Sequence, residues 1–459
     1  MAAEGGAVDI AALRARVPRG ARALIDRIHG EGGQAYLVGG CLRDLVLGRE
    51  PKDFDIATDL VPAQVKALFG RVHEVGAAFG TLLVPFGDHL YEITTFRTES
   101  DYSDGRHPDR VAYTTDLIED LKRRDFTVNA MAFDPRAAEL NDPFGGLNDL
   151  ELRRIRAVGE PAERFREDAL RLMRAVRFAT QLGFKIERRT MEALREAAPG
   201  LERISAERIR EELTRILLAP EPSRGLKLLH HAGLLGIVLP ELEACRGVTQ
   251  NRFHAHDVFT HSVLAADAAP GDNLPVRLAA LLHDIAKPDT REEKEGDYTF
   301  YAHQMVGARK ADRILRRLRY SNEVREKVTH LIRHHMFYYQ PEWTDSAVRR
   351  FARSVGIENI PDLIALRLAD MAGNVKKSGD TTPLRELLRR VEEVIAKDTA
   401  LSVKDLAIGG EDLKAMGLAP GPVYGRILHA LLEQVLDDPE MNEPERLREA
   451  ARELIEQEI

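Results

Sequence analysis

The sequence predicts an α+β protein: a small α/β head, then helices to the end. Two patterns and the chain length carry this. Short apolar or alternating runs (Ala35-Tyr36-Leu37-Val38, Thr81 to Phe86, Tyr91 to Phe96) lie between glycines in the first 135 residues and read as strands. From Pro161 onward apolar residues recur at helical spacing, as in Leu170, Met173, Val176 and Ala179. At 459 residues, several domains are expected. We expect a head at 1–135, a helical neck at 136–245, a histidine-rich domain at 246–376 and a helical tail at 377–459.

Composition narrows the setting. Two cysteines, Cys41 and Cys245, cannot form a disulfide framework, which suits a reducing, cytoplasmic compartment. The start MAAEGGAVDI lacks the basic and apolar regions of a secretion signal, and no apolar run is long enough to span a membrane. A net charge of −8 argues mildly against a nucleic-acid partner. The location of charge matters more than its sum, and arginines crowd between Lys122 and Arg215.

Residues 9 to 30 read as an amphipathic helix split by Pro18. After the strand Ala35 to Val38, Gly39-Gly40 permits close backbone approach to a ligand, and a helix start there offers free N–H groups to phosphate. Asp53-Phe54-Asp55-Ile56 alternates with period two, which on a strand puts Asp53 and Asp55 on one face. Adjacent carboxylates repel unless a cation lies between them, and oxygen ligands with phosphates suit Mg²⁺. The plainer alternative is a strand end with two solvated acids. Pro62 to Phe69 reads as a short helix and Val72 to Val75 as a strand. Glu92, on the face opposite Tyr91 and Ile93, becomes a third carboxylate if its strand neighbours that of Asp53 and Asp55. Glu99 to Val111 is a polar loop, expected to be a mobile functional element.

Two further stretches carry charge in a pattern. Lys122-Arg123-Arg124 before a helix suits triphosphate, although such a run is often only a solvated face; Asn129 follows in the same stretch. In Glu167-Asp168-Ala169-Leu170-Arg171, Asp168 and Arg171 are helical neighbours at i and i+3. As a surface ion pair they are worth only ~0.5 kcal/mol. As a reader, they distinguish bases. Cytosine and adenine present an amino donor beside a ring-nitrogen acceptor, whereas uracil and guanine present the reverse. A carboxylate accepts and a guanidinium only donates, so the pair would admit C and A. Arg174 and Arg177 drift around the helix and suit phosphate contact or support of Asp168.

The series GGCLRD, KDFDIATD, VGAAFGTLLV, EITTFRTESDYSDGRHPDRV, LKRRDFTVNAMAFD, DPFGGLNDL and EDALRLMRAVRFA resembles the bacterial-type (class II) CCA-adding tRNA nucleotidyltransferases of the polymerase β superfamily. The likeness covers about residues 30 to 250. It implies a polymerase β-type head that adds C, C and A to tRNA from CTP and ATP. Asp53 and Asp55 would hold Mg²⁺; Gly40, Arg43 and Arg124 would contact nucleotide; Asp168 with Arg171 would read the base; Arg174 and Arg177 fall on nucleotide-contact positions. Related poly(A) polymerases carry an arginine-rich stretch where this chain has Val75 to Thr81. The loop Asp101 to Val111, absent from CC-adding forms, looks intact, although His107 stands where an arginine is frequent. Full CCA addition and A-only addition both stay open.

His261, His283-Asp284 and Asp370, drawn from separate apolar helices, suit a second divalent metal and resemble an HD phosphohydrolase domain. His303, His334 and His335 are further candidates. An inert HD scaffold is the plainer alternative, and an HD hydrolase with an inactive head is the rival account of the whole chain. The Gly/Pro turns at Gly409-Gly410 and Gly417 to Pro422 resemble the family's tail, which implies a grip on tRNA. Nothing in the sequence indicates an oligomeric state.

Overall fold

A computed structural model describes residues 8–74, 80–100, 110–374, 379–396 and 400–458. The expected strand end at Val75, most of the stretch that separates poly(A) polymerases (75–79), residues 101–109 of the expected loop Glu99 to Val111 and part of the 376–382 boundary lie outside these; the two ends of that loop are strand rather than loop. The chain forms two compact units, Met1–Pro240 and Glu241–Ile459.

The first unit begins with helices Ile10–Arg16 and Arg19–Gly30, separated at Pro18 as expected. Leu24, Ile25 and Ile28 give the second a buried stripe. The head sheet contains β1 (Ala35–Val38), β2 (Asp55–Thr58), β3 (His73–Glu74), β4 (Thr81–Phe86) and β5 (His89–Thr95). A separate hairpin pairs β6 (Arg97–Ser100) with β7 (Arg110–Tyr113). Two more strands, β8 (Ala132–Asp134) and β9 (Glu139–Asn141), complete a seven-stranded order β3-β4-β5-β2-β1-β8-β9. All these pairs are antiparallel except β2 with β5. Val38, Ala57, Phe96, Leu117, Leu121 and Ala132 form a core under the strands that bear the acids.

Helices dominate from Pro161, but not without interruption. Arg154–Ile155 pairs with Lys185–Ile186, and Glu292–Lys294 with Asp297–Thr299. Glu295 and Gly296 both have positive φ, so that second pair closes as a tight hairpin. In the second unit, helix Ile360–Ala372 packs on Val258–Ala268 so closely that a side chain at Gly373 would meet the Ala265 backbone at 2.9 Å. The tail helices Gly410–Ala415, Pro422–Asp437 and Pro444–Glu458 share a core of Leu413, Leu431, Leu432, Val435 and Leu447.

Candidate nucleotidyl-transfer cleft and a histidine–aspartate cluster

The strand β1 ends at Val38, and the next residue, Gly39, has φ +74°. A Cβ there would lie 3.2 Å from Arg124 Nη1 and 3.4 Å from Asp55 Oδ2, so glycine is required by both conformation and space. The helix Gly39–Val46 starts at that turn.

Because β1 stops at Val38, its ladder with β2 stops at Asp55. Asp53 therefore has no partner strand and lies in the bend before β2, not on a shared strand face. The expected geometry is corrected, yet both acids line the same cleft. Asp55 is register partner to Glu92 on the parallel neighbour β5. Burial raises the Asp55 carboxyl above its ordinary range; Arg124 opposes this and Asp53 adds to it. Removal from water, then Asp55 and Asp53, raise Glu92 likewise. Glu92 keeps an exposed side chain, so its shift is the weaker sign. Asp55 and Glu92 resist ionising beside Asp53, and the three carboxylates together are a donor set that a divalent cation relieves.

The basic run departs from expectation in another way. Lys122 ends the helix Leu117–Lys122, so Arg123 and Arg124 follow a helix, and only a short 3₁₀ turn, Thr127–Asn129, comes after. Asp120, 1% exposed, gathers them. It accepts Arg123 Nη2 at 2.8 Å, Arg124 Nη2 at 3.2 Å and the Arg97 backbone N–H at 3.3 Å. Burial opposes ionisation of Asp120, but Arg123 and Arg124 outweigh it and hold the carboxyl below its ordinary range.

Behind these residues runs a buried hydrogen-bond chain. Arg43 Nη1 donates to Asn129 Oδ1 at 2.8 Å, Asn129 Nδ2 to Asp125 Oδ1 at 3.2 Å, and Arg174 Nε to Asp125 Oδ2 at 2.7 Å. Burial alone would raise Asp125; Arg174 and Arg171 instead bring it to about 2. The guanidiniums of Arg43, Arg174 and Arg177 lie 5.3, 5.3 and 4.2 Å from the ring centre of Phe178. Arg177 pairs with Glu212 at 2.8 Å. Each partner nevertheless shifts toward its neutral form, because desolvation outweighs the pairing: Arg177 falls to about 10 and Glu212 rises.

Asp168 and Arg171 do not form the expected helical ion pair. Asp168 is extended (φ −139°, ψ 105°) between helices Pro161–Glu167 and Leu170–Leu182. Its Oδ1 accepts the Leu170 N–H at 2.9 Å, which takes it off the continuous helix that the i, i+3 spacing assumed. Arg171 instead reaches Glu167 at 2.5 Å and the carbonyls of Arg164 and Arg123, both at 3.0 Å. Both residues still face one open cleft of ≈ 1070 Å³. Every expected nucleotide and head-metal residue lines it: Gly39, Gly40 and Arg43; Asp53, Asp55 and Glu92; Arg124 and Asn129; Asp168, Arg171, Arg174 and Arg177. Sequence reading missed Asp120, Asp125, Phe178, Arg208 and Glu212. Arg208 and Glu212 lie about 40 residues from their partners, and no local spacing signals them.

In the second unit, His283 caps the end of helix Leu274–Leu282, so His283-Asp284 sits at the helix terminus, not within it. Two groups of ligand atoms converge: His261, His283 and Asp370, and Asp284, His303 and His335. His334 is not in either group; its ring lies against His330, tilted by 37° with 4.5 Å between centres. Nδ1 of His283, His303 and His335 lies 2.8, 2.8 and 2.7 Å from the carbonyls of Ala280, Phe300 and Ile332. Those contacts assign the proton to Nδ1 and leave Nε2 as a lone pair. Yet Nε2 of His303 and of His335 face each other at 3.3 Å. Two opposed lone pairs need a cation or a proton between them, which fits a metal site. Burial, then His283, depresses His335 to about 3, which holds the His335 ring neutral at neutral pH.

Comparison with known proteins agrees with this architecture. A family model described as "Poly A polymerase head domain" matches residues 35–156. One described as "Probable RNA and SrmB- binding site of polymerase A" matches 183–246, and a tRNA nucleotidyltransferase domain 2 model matches 291–451. The fold and cleft thus define a polymerase-type nucleotidyltransferase, a class that uses divalent metal. The chain is 34% identical over 439 residues to the CCA-adding enzyme of Streptococcus suis (strain 05ZYH33), covering 95% of this chain and 96% of that one. It belongs to the family of CCA-adding enzymes. It is 49% identical over 214 residues to the CCA-adding enzyme of Limosilactobacillus reuteri (strain DSM 20016), covering 47% of this chain and 53% of the relative, so that match spans about half of the relative's length. The crystal structure of the Bacillus stearothermophilus CCA-adding enzyme in complex with CTP superposes with a TM-score of 0.73 at 30% identity, covering 96% of this chain and 98% of that one.

Proposed function

We propose that this chain completes tRNA 3′ ends by adding C, C and A from CTP and ATP without a template. One observation carries the reading: a carboxylate trio, a bank of arginines and the Asp168/Arg171 pair share one cleft. The 3′-hydroxyl oxygen of the RNA attacks the α-phosphorus, and pyrophosphate departs. Arg124 and the N–H groups at Gly39-Gly40 face the triphosphate, with Arg43, Arg174 and Arg177 completing the basic wall. Asp168 accepts from the amino group of C or A while Arg171 donates to the ring nitrogen; U and G offer the wrong pattern to both. Asp53 and Asp55, with Glu92 beside them, would hold Mg²⁺, which would supply stabilisation of the charge that develops on the reacting oxygens.

The reading extends to the other regions. Residues 1–135 act as the head, 136–245 as the neck with the base-selecting segment, 246–376 as an HD domain, and 377–459 as a tRNA-gripping tail. Buried thiols at Cys41 and Cys245, and the lack among described residues of a helix able to cross a membrane, support a cytoplasmic setting. The His303–His335 contact also favours a second reading: the histidine–aspartate cluster holds a divalent metal and supports phosphoester hydrolysis.

The test uses tRNA ending before CCA and tRNA ending at CC, with CTP and ATP supplied separately and together. The proposal expects two C residues and then one A on the first, and A alone on the second. Addition of A only, on the CC-ended substrate, would reassign the chain to A-adding activity. No incorporation, with hydrolysis intact, would support the hydrolase with an inactive head.

A further inference from the structure

The acid of the base-reading pair is fixed by a residue from another helix. Arg208 lies in the helix Ala206–Leu217, 40 positions beyond Asp168. Its Nη2 donates to Asp168 Oδ2 at 2.8 Å, while Asp168 Oδ1 is occupied by the Leu170 N–H. Each carboxylate oxygen therefore has one defined donor, and the plane of the group is set. The contact is sheltered: the side chains of Arg208 and Asp168 are 21% and 17% exposed. Arg208 Nη1 is buried and makes no hydrogen bond. Both residues line the cleft.

The two halves of the reader are thus held independently. Arg171 is anchored by Glu167 and two backbone carbonyls, none of which touches Asp168 Oδ2. Asp168 sits in extended backbone, where no helical turn restrains its side chain. Without Arg208 the carboxylate retains one restraint, the Leu170 N–H, and is free to rotate about it. A carboxylate that turns loses the directed lone pair that accepts from an amino donor, and it tolerates a carbonyl or N–H in that place more readily.

We infer that Arg208 is a positioning residue that sets nucleotide choice through Asp168. The inference rests on the reading of Asp168 as the base-contacting acid. Its signature is a change in selectivity larger than the change in rate. The charge and the forked geometry both matter, so lysine restores only part of the effect.

The experiment measures kcat/KM for CTP and for UTP on tRNA lacking CCA, in the wild type, Arg208→Ala, Arg208→Lys and Asp168→Ala. Each ratio comes from one preparation, so a fraction of unfolded protein cancels. The CTP:UTP ratio should fall by roughly tenfold or more in Arg208→Ala, the scale of one charge-assisted hydrogen bond. Arg208→Lys should fall between that and the wild type. If Arg208→Ala does not fold, the lysine variant carries the same comparison. An unchanged ratio in the Arg208 variants, with Asp168→Ala altered, overturns the role of Arg208 alone. An unchanged ratio in Asp168→Ala overturns the base-reading assignment itself.

Discussion

Asp55 and Glu92 are register partners on adjacent parallel strands, and both carboxyls are raised, first by loss of water and then by nearby acids: Asp53 for Asp55, and Asp55 with Asp53 for Glu92. In metal-free protein this crowding gives a pH dependence of definite sign. A carboxyl with a raised folded pKa stabilises the fold most when protonated. That contribution is complete below the ordinary carboxylate range and is lost as pH rises through the raised values. Asp55→Asn mimics the protonated state, so in chelator its melting temperature should exceed that of the wild type at neutral pH. The gap should close on acidification. Divalent cation should stabilise the wild type more than the variant, which keeps only the histidine–aspartate cluster as a metal site. Thermal melts at several pH values with and without Mg²⁺ check this, and a variant that melts lower in chelator at neutral pH contradicts it.

Asp120 ties Arg123, Arg124 and the Arg97 backbone into one buried unit beside the phosphate end of the cleft. Asp120→Asn keeps the shape and removes the charge that holds two guanidiniums. KM should rise roughly tenfold for CTP and ATP alike, with the CTP:UTP ratio unchanged. Breaking a buried pair on one side should also cost about 3 kcal/mol of stability. Steady-state kinetics and denaturant unfolding test the two halves. A change in base choice instead would mean that the Asp120 cluster reaches the base, not the phosphates.

The opposed Nε2 atoms of His303 and His335 predict metal in the second unit. Protein purified without chelator should carry a divalent ion measurable by elemental analysis. His335→Ala should lose most of it, together with hydrolysis of a phosphodiester probe, while nucleotide addition persists. Equal metal content in the wild type and His335→Ala would remove the case for that site.

The legible parts of this molecule are those with short-range periodicity. The strand Ala35–Val38, the helices either side of Pro18 and the helix Pro62–Phe69 follow from apolar spacing and proline alone. The acids at Asp53 and Asp55 were visible as a pair, but their backbone was not. The strand cannot extend to Asp53, because β1 turns away at Gly39 and leaves no partner. The Asp168–Arg171 spacing suggested a helical couple, but Asp168 lies in extended backbone between two helices and its second carboxylate oxygen accepts from Arg208. The supports at Asp120 and Glu212 read as ordinary helix-surface acids. Asp120 has its arginines at i+3 and i+4, a spacing visible in the sequence, but its burial, and the pairing of Glu212 with Arg177, come only from the fold.

The proposed dependence of nucleotide addition on Asp53, which lines the cleft, has a direct test. Incorporation of labelled CMP into tRNA lacking CCA should be abolished in Asp53→Ala, while the folded fraction and the hydrolysis attributed to the second unit stay as in the wild type. Incorporation at the wild-type rate by that variant would contradict it.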